Sequence, residues 1–111
     1  MSSPLQILQQ YWKHAAFRPL QEEIIQSVLQ GKDCIALLPT GGGKSVCYQI
    51  PGIILPGVSL VISPLIALMK DQVDALNQKG IAAVAIHSGM KKEEVKQVLL
   101  DATESVYQFI Y

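Results

Sequence analysis

The chain has 111 residues, half of them hydrophobic and only 16% charged, which allows one small globular domain and excludes a disordered or fibrous segment. Nine lysines and arginines balance nine acidic residues, so there is no global basic field to attract nucleic acid, and any such contact must be local. Residues 1–12 lack the charged and apolar regions of a secretory leader. No apolar run approaches the length of a membrane span, so a cytoplasmic address without membrane contact is the default expectation.

In chain order, Ser3-Pro4 pairs a capping hydroxyl with a proline suited to a first helical turn, and Leu5, Leu8 and Trp12 come after it at helical spacing. Pro19 opens a second predicted helix, in which Leu20, Ile24, Ile25 and Val28 form one apolar stripe that Gly31 is placed to end. The run CIALL at 34–38 reads as a short buried strand. A helix is then expected to begin near Lys44 and stop before Pro51, because proline biases its predecessor away from the helical region.

Residues 59–62 form the next predicted strand. Ser63-Pro64 repeats the cap-plus-proline signal, and Leu65, Leu68, Met69, Gln72, Val73 and Leu76 recur at spacings of three and four up to Gly80. A third strand is predicted over 82–86. A helix over about 91–101 is marked by Val95, Val98, Leu99 and Ala102, and a fourth strand is predicted over 106–111. Alternating strands and helices imply right-handed crossovers and a parallel sheet with helices on both faces. The loops at the carboxyl ends of the strands are then available for ligands. Cys34 and Cys47 have no metal-ligand spacing and read as buried core thiols.

The segment Leu38-Pro39-Thr40-Gly41-Gly42-Gly43-Lys44-Ser45 lies between a predicted strand and a predicted helix, the context that a phosphate-binding loop requires. Gly41, Gly42 and Gly43 let successive N–H groups point inward, and the helix start adds partial positive charge. Lys44 supplies a full charge for the outer phosphates, the Ser45 hydroxyl is a hard ligand for Mg2+, and Thr40 offers a further hydroxyl. A lysine in a first helical turn is repelled by that turn's own partial charge, which argues for a compensating anion. The strict pattern opens on a glycine at the position that Leu38 occupies in this chain.

PTGGGKS with the adjoining Val46-Cys47-Tyr48-Gln49-Ile50-Pro51 closely resembles the first helicase motif of the RecQ family within superfamily 2. Phe17-Arg18-Pro19-Leu20-Gln21 resembles that family's adenine-recognition motif, and the segment from Ser63 to Gln72 resembles its motif Ia. The resemblance implies a partial RecA-like P-loop NTPase domain, with residues 1–111 as the amino-terminal part of the first motor domain. It implies ATP and Mg2+ as cofactors, with Lys44 and Ser45 in the catalytic apparatus. Gln21 would read adenine, Arg18 would stack or order the loop, and His14 would stand where many members have a stacking aromatic residue.

The same resemblance assigns backbone contacts on single-stranded or duplex DNA to Ser63, Lys70 and Gln72, and a further DNA-facing loop to His87-Ser88. It implies a 3′-to-5′ DNA helicase of repair and recombination, associated with the nucleoid if bacterial. The family's acidic Walker B motif is not seen: Asp33, Asp71, Asp74 and Asp101 do not follow an apolar strand at its ligand end. Hydrolysis and unwinding are therefore expected of a longer chain, whose remainder is an expected partner. A non-catalytic nucleotide- or DNA-binding module remains the alternative. A small-molecule kinase would leave 17–21 and 63–72 unexplained, and backbone contacts alone do not separate DNA from RNA.

Overall fold

The computed structural model describes residues 3–38, 43–104 and 106–111. The chain divides into two compact units, Met1–Pro56 and Gly57–Tyr111.

The first unit begins with α1 (Pro4–Ile7), started as its sequence predicts by a reciprocal cap. The Gln6 N–H donates to Ser3 Oγ at 3.2 Å, and the Ser3 N–H donates to Gln6 Oε1 at 2.8 Å. The helix then changes type: Leu8–Trp12 form a π-helical turn that ends at a left-handed Lys13. In α2 (Gln21–Leu29) Ile25 is fully buried. Leu20 departs from the predicted stripe. It is the residue before α2, left-handed and 55% exposed, so it lies outside both the helix and the buried core.

The third helix, α3 (Lys44–Ile54), starts where expected but runs through Pro51 instead of ending before it. Proline inside a helix removes one hydrogen bond and crowds the preceding turn, at a cost of about 3 kcal/mol. Here Ile50 and Pro51 are fully buried and the Leu55 N–H donates to the Pro51 carbonyl at 2.8 Å, so burial carries the helix past the break. Ile7, Leu8, Ile25, Val46 and Ile50 form the core of this unit, with Trp12 and Phe17 packed against it. Each fully buried aliphatic side chain contributes roughly 1.5–3 kcal/mol.

Residues 34–38 are not a strand, which corrects the sequence reading. Ile35 is 93% and Leu37 86% exposed. An apolar run becomes a buried strand only when a ladder partner covers it, and none of the described strands pairs with this segment. Cys34 is correspondingly exposed, against expectation, while Cys47 is buried as expected.

The second unit holds a parallel sheet of β1 (Ser59–Leu60), β2 (Ala83–Val84) and β3 (Phe109–Ile110) in the order β1-β3-β2. The register sets Ser59 and Ala83 level with Phe109. The strands are shorter than predicted, but ladder bonds continue beyond them, from the Val61 N–H to the Ile110 carbonyl and from the Ile86 N–H to the Tyr111 carbonyl. Helices α4 (Ile66–Gln78) and α5 (Lys92–Thr103) are the crossovers. α4 buries Met69, Val73 and Leu76, whereas Leu65 and Leu68 of its predicted stripe are exposed. The second unit is thus a small parallel sheet joined by helices, compatible with the parallel α/β class expected from the sequence. Among the described residues no helix is long and apolar enough to cross a membrane.

One side of this sheet is closed by a side chain. Asn77 Nδ2 donates to the Ala83 carbonyl at 3.1 Å and its Oδ1 accepts from the Ala83 N–H at 3.0 Å, so the amide stands in for a neighbouring strand. Asn77→Ala leaves both groups of a buried residue without this partner, and a loss of about 1–3 kcal/mol is expected. Urea denaturation checks this: the midpoint falls with little change in slope, and an unchanged midpoint counts against the account.

Candidate nucleotide site and candidate nucleic-acid loops

The phosphate-loop residues Pro39, Thr40, Gly41 and Gly42 lie outside the described residues. Gly43, which completes the glycine run, precedes α3 at φ 75°, a left-handed backbone. A Cβ at Gly43 would meet the tip of the Gln21 amide and would have to displace it, while the left-handed backbone itself favours glycine. The first turn of α3 contains Lys44 and Ser45, no acidic residue and no side-chain cap. Its N–H groups and the exposed Lys44 ammonium thus present positive charge without a compensating carboxylate, and such a helix start suits an anion.

Gln21 links this helix start to the segment before α2. It is 4% exposed. Its Oε1 accepts from the Arg18 N–H at 2.8 Å, and its Nε2 donates to the Gly43 carbonyl at 3.1 Å. The Gly43 carbonyl also receives the Cys47 thiol at 3.9 Å. Burial and the nearby Cys34 push the Cys47 thiol above its ordinary pKa. A cavity of about 320 Å³ opens beside Gln21 and Gly43. His14, Ala16, Arg18 and Val46 also line it, so the structure brings the three residues of the predicted base site together at one cavity. This volume lies at the lower end for small-molecule sites.

In the second unit, Ser63 lies four residues beyond the register position of Ser59, and His87 four beyond that of Ala83. Both loops therefore leave the carboxyl end of the parallel sheet, on strands flanking β3 and about 10 Å apart at the usual strand spacing. Ser63 does not cap α4 as predicted. Its Oγ accepts from the Leu65 N–H at 3.4 Å, and Leu65 is the residue before the helix. Pro64 thus sits in a turn ahead of α4 and not in its first helical turn.

Lys70 is exposed on α4 and Gln72 is partly buried. His87 Nδ1 accepts from the Gly89 N–H at 3.1 Å, which places the neutral ring's proton on Nε2. Ser88 is exposed in the same turn.

Residues 18–111 match the DEAD/DEAH box helicase family. This chain belongs to that family. It is 43% identical over its whole length to a protein named probable ATP-dependent DNA helicase RecS of Bacillus subtilis, covering 22% of that protein. It is 41% identical over 94% of its length to ATP-dependent DNA helicase RecQ of Synechocystis, again 22% of that protein. Against ATP-dependent DNA helicase Q1 of mouse the identity is 48% over 83% of the chain and 14% of the relative. The chain thus spans about a fifth or less of the length of these relatives.

For a helicase-family chain the sequence reading missed one connection, the Gln21–Gly43 hydrogen bond. Twenty-two positions separate the two residues. Neither local spacing nor periodicity signals a bond of that reach. Among the described residues no group of three or more His, Cys, Asp or Glu could hold a metal ion.

Proposed function

We propose that this chain is the ATP-grasping part of an ATP-dependent DNA helicase, within a RecA-like first motor domain of RecQ type. The observation that carries the reading is the Gln21 amide, which lines the cavity and holds Gly43 at the head of α3. One side chain thus belongs to both the base end and the phosphate end of a nucleotide. In this reading His14 stacks on adenine, Arg18 orders the loop beside it, and Gln21 reads the base edge with an amide that donates and accepts. Thr40, Gly41, Gly42, Gly43 and Lys44 hold the polyphosphate.

Mg2+ arrives with the phosphates in this reading. The described residues offer no carboxylate cluster for a free-standing metal site, and Ser45 Oγ is the hard oxygen near the lysine. When bound, Mg2+ would be held by the Ser45 hydroxyl and the phosphates and would supply neutralising charge at the outer phosphates. Lys44 adds a fixed positive charge there, and the α3 N–H groups add their dipoles.

Single-stranded DNA runs along the carboxyl end of the sheet. Ser63 and His87 offer hydroxyl and Nε2–H groups to its phosphates from either side of β3, Ser88 adds a hydroxyl in the His87 turn, and Lys70 and Gln72 on α4 are further candidates for backbone contact. Hydrolysis, 3′-to-5′ translocation and unwinding in repair or recombination belong to the whole protein. The relatives' names and their greater length support that placement.

Competition for a fluorescent ATP analogue with Mg2+ tests the reading. ATP is expected to displace the probe at least tenfold better than GTP, and Gln21→Ala to remove most of that preference, about the effect of losing one or two hydrogen bonds. A folded chain that binds neither nucleotide, or binds both equally, defeats it.

A further inference from the structure

The segment that carries His14, Ala16 and Arg18 of the cavity lining is flanked on both sides by backbone that side chains rarely adopt. Lys13 has φ 61° and ψ 23°, and Leu20 has φ 71° and ψ −16°, both left-handed and neither glycine. Only a few per cent of non-glycine residues do this, with asparagine and aspartate the usual exceptions, and a bulky residue such as leucine there is an outlier. The two bracket residues 14–19, which contain His14, Ala16 and Arg18 of the cavity lining. Such outliers persist only where surrounding structure over-determines them, and they concentrate at ligand sites.

The surrounding structure does over-determine this segment. Before it, the π-helical turn Leu8–Trp12 sets Leu8 fully into the core and packs Trp12 against it. Within it, Phe17 packs on the same core. Gln9 Nε2 donates to the Ala15 carbonyl at 3.3 Å, and Arg18 N–H donates to Gln21 Oε1 at 2.8 Å. Between these anchors His14 is exposed on the cavity wall. A π-helical turn holds about one residue more than an α-helical turn, so replacing it with α-helix would turn every later residue by roughly 100° about the axis. The wide turn and the left-handed step after it therefore set the direction in which His14 leaves the helix.

Resting on the base-cavity reading above, we infer that the π-helical turn 8–12 and the left-handed Lys13 form a preset frame for His14, and that Lys13 is a positioning residue for adenine selectivity through its backbone. A frame held by the chain's own packing spares binding the cost of assembling the stacking surface. The Lys13 side chain is exposed, and its contribution lies in the conformation that it tolerates.

The test compares Lys13→Val with Lys13→Gly in the purified chain, reading ATP, GTP and inorganic tripolyphosphate affinities in parallel with thermal unfolding. β-Branched valine opposes the left-handed backbone and glycine permits it. Lys13→Val is expected to weaken ATP binding by about tenfold while tripolyphosphate binding holds, so the ATP-to-GTP preference collapses. Lys13→Gly is expected to lose several-fold less. A purely structural role would weaken all three ligands together.

If Lys13→Val does not fold, Lys13→Ala carries the same comparison with a smaller effect in the same direction. A Lys13→Val chain that keeps its preference, while His14→Ala or Gln21→Ala loses it, overturns the frame and leaves the base cavity standing. Preference unmoved by all of these variants overturns both.

Discussion

Lys44→Ala is expected to weaken binding of Mg2+-ATP by roughly 10- to 100-fold, the factor given by losing one hydrogen bond between charged groups. The same substitution should leave the chain slightly more stable. Lys44 is exposed in the first turn of α3, where no acidic residue offsets the positive helix start. A cation there costs about 0.3–1 kcal/mol without an anion beside it. Removing it therefore raises the unfolding midpoint of the ligand-free chain by a degree or two, on the order of 0.5 kcal/mol. Opposite signs for affinity and stability separate a ligand-binding lysine from a structural one. Titration with a fluorescent ATP analogue and thermal unfolding read the two quantities. Unchanged affinity removes Lys44 from the site, and a fall in both shows that the lysine holds the fold.

The parts of the fold legible in the sequence are those fixed by contacts within a turn or two. Ser3 with Gln6 forms its cap from residues three apart, and Met69, Val73 and Leu76 bury the stripe that their spacing predicts. The parts that were not legible depend on residues far along the chain. Residues 34–38 have a strand's composition, but strand formation is decided by a partner ladder, and Ile35 and Leu37 stay exposed without one. Pro51 carries a local stop signal that is overridden because Ile50 and Pro51 are fully buried. The π-helical turn and the left-handed Lys13 and Leu20 leave no trace, since neither residue is a glycine or asparagine that would have marked such a backbone.

The candidate site divides the same way. Glycines leading into Lys44 and Ser45 between a strand-like and a helix-like stretch announce an anion site, because each residue type there has a local reason. Arg18 and Gln21 gain meaning only from what lies elsewhere. In the structure Gln21 bonds to Gly43 at the head of the lysine's helix, a connection that spacing alone does not signal. The sequence reading treated Ser63 as a cap by analogy with Ser3. The two differ because Leu65 intervenes before α4 begins, which ties the Ser63 hydroxyl to the loop.

Phe109→Ala is expected to destabilise the second unit by about 3–5 kcal/mol, the largest stability effect of any substitution considered. Phe109 is fully buried on the central strand, level with Ser59 on one neighbour and Ala83 on the other. Its removal combines the lost transfer of a large aromatic side chain with a cavity that strands on both sides limit from closing. Small domains have stabilities of only about 5–15 kcal/mol, so the loss is a large fraction of the whole.

The effect should also reach the two loops proposed to meet nucleic acid, because Ser63 and His87 leave strands whose register is set through β3. Urea denaturation should show a lower midpoint, and hydrogen exchange at Val61 and Ile86, which donate to Ile110 and Tyr111, should speed up. Phe109→Leu, which refills most of the volume, should recover more than half of the loss. If Phe109→Ala costs less than about 1 kcal/mol, β3 is not the element that holds the two loops in register.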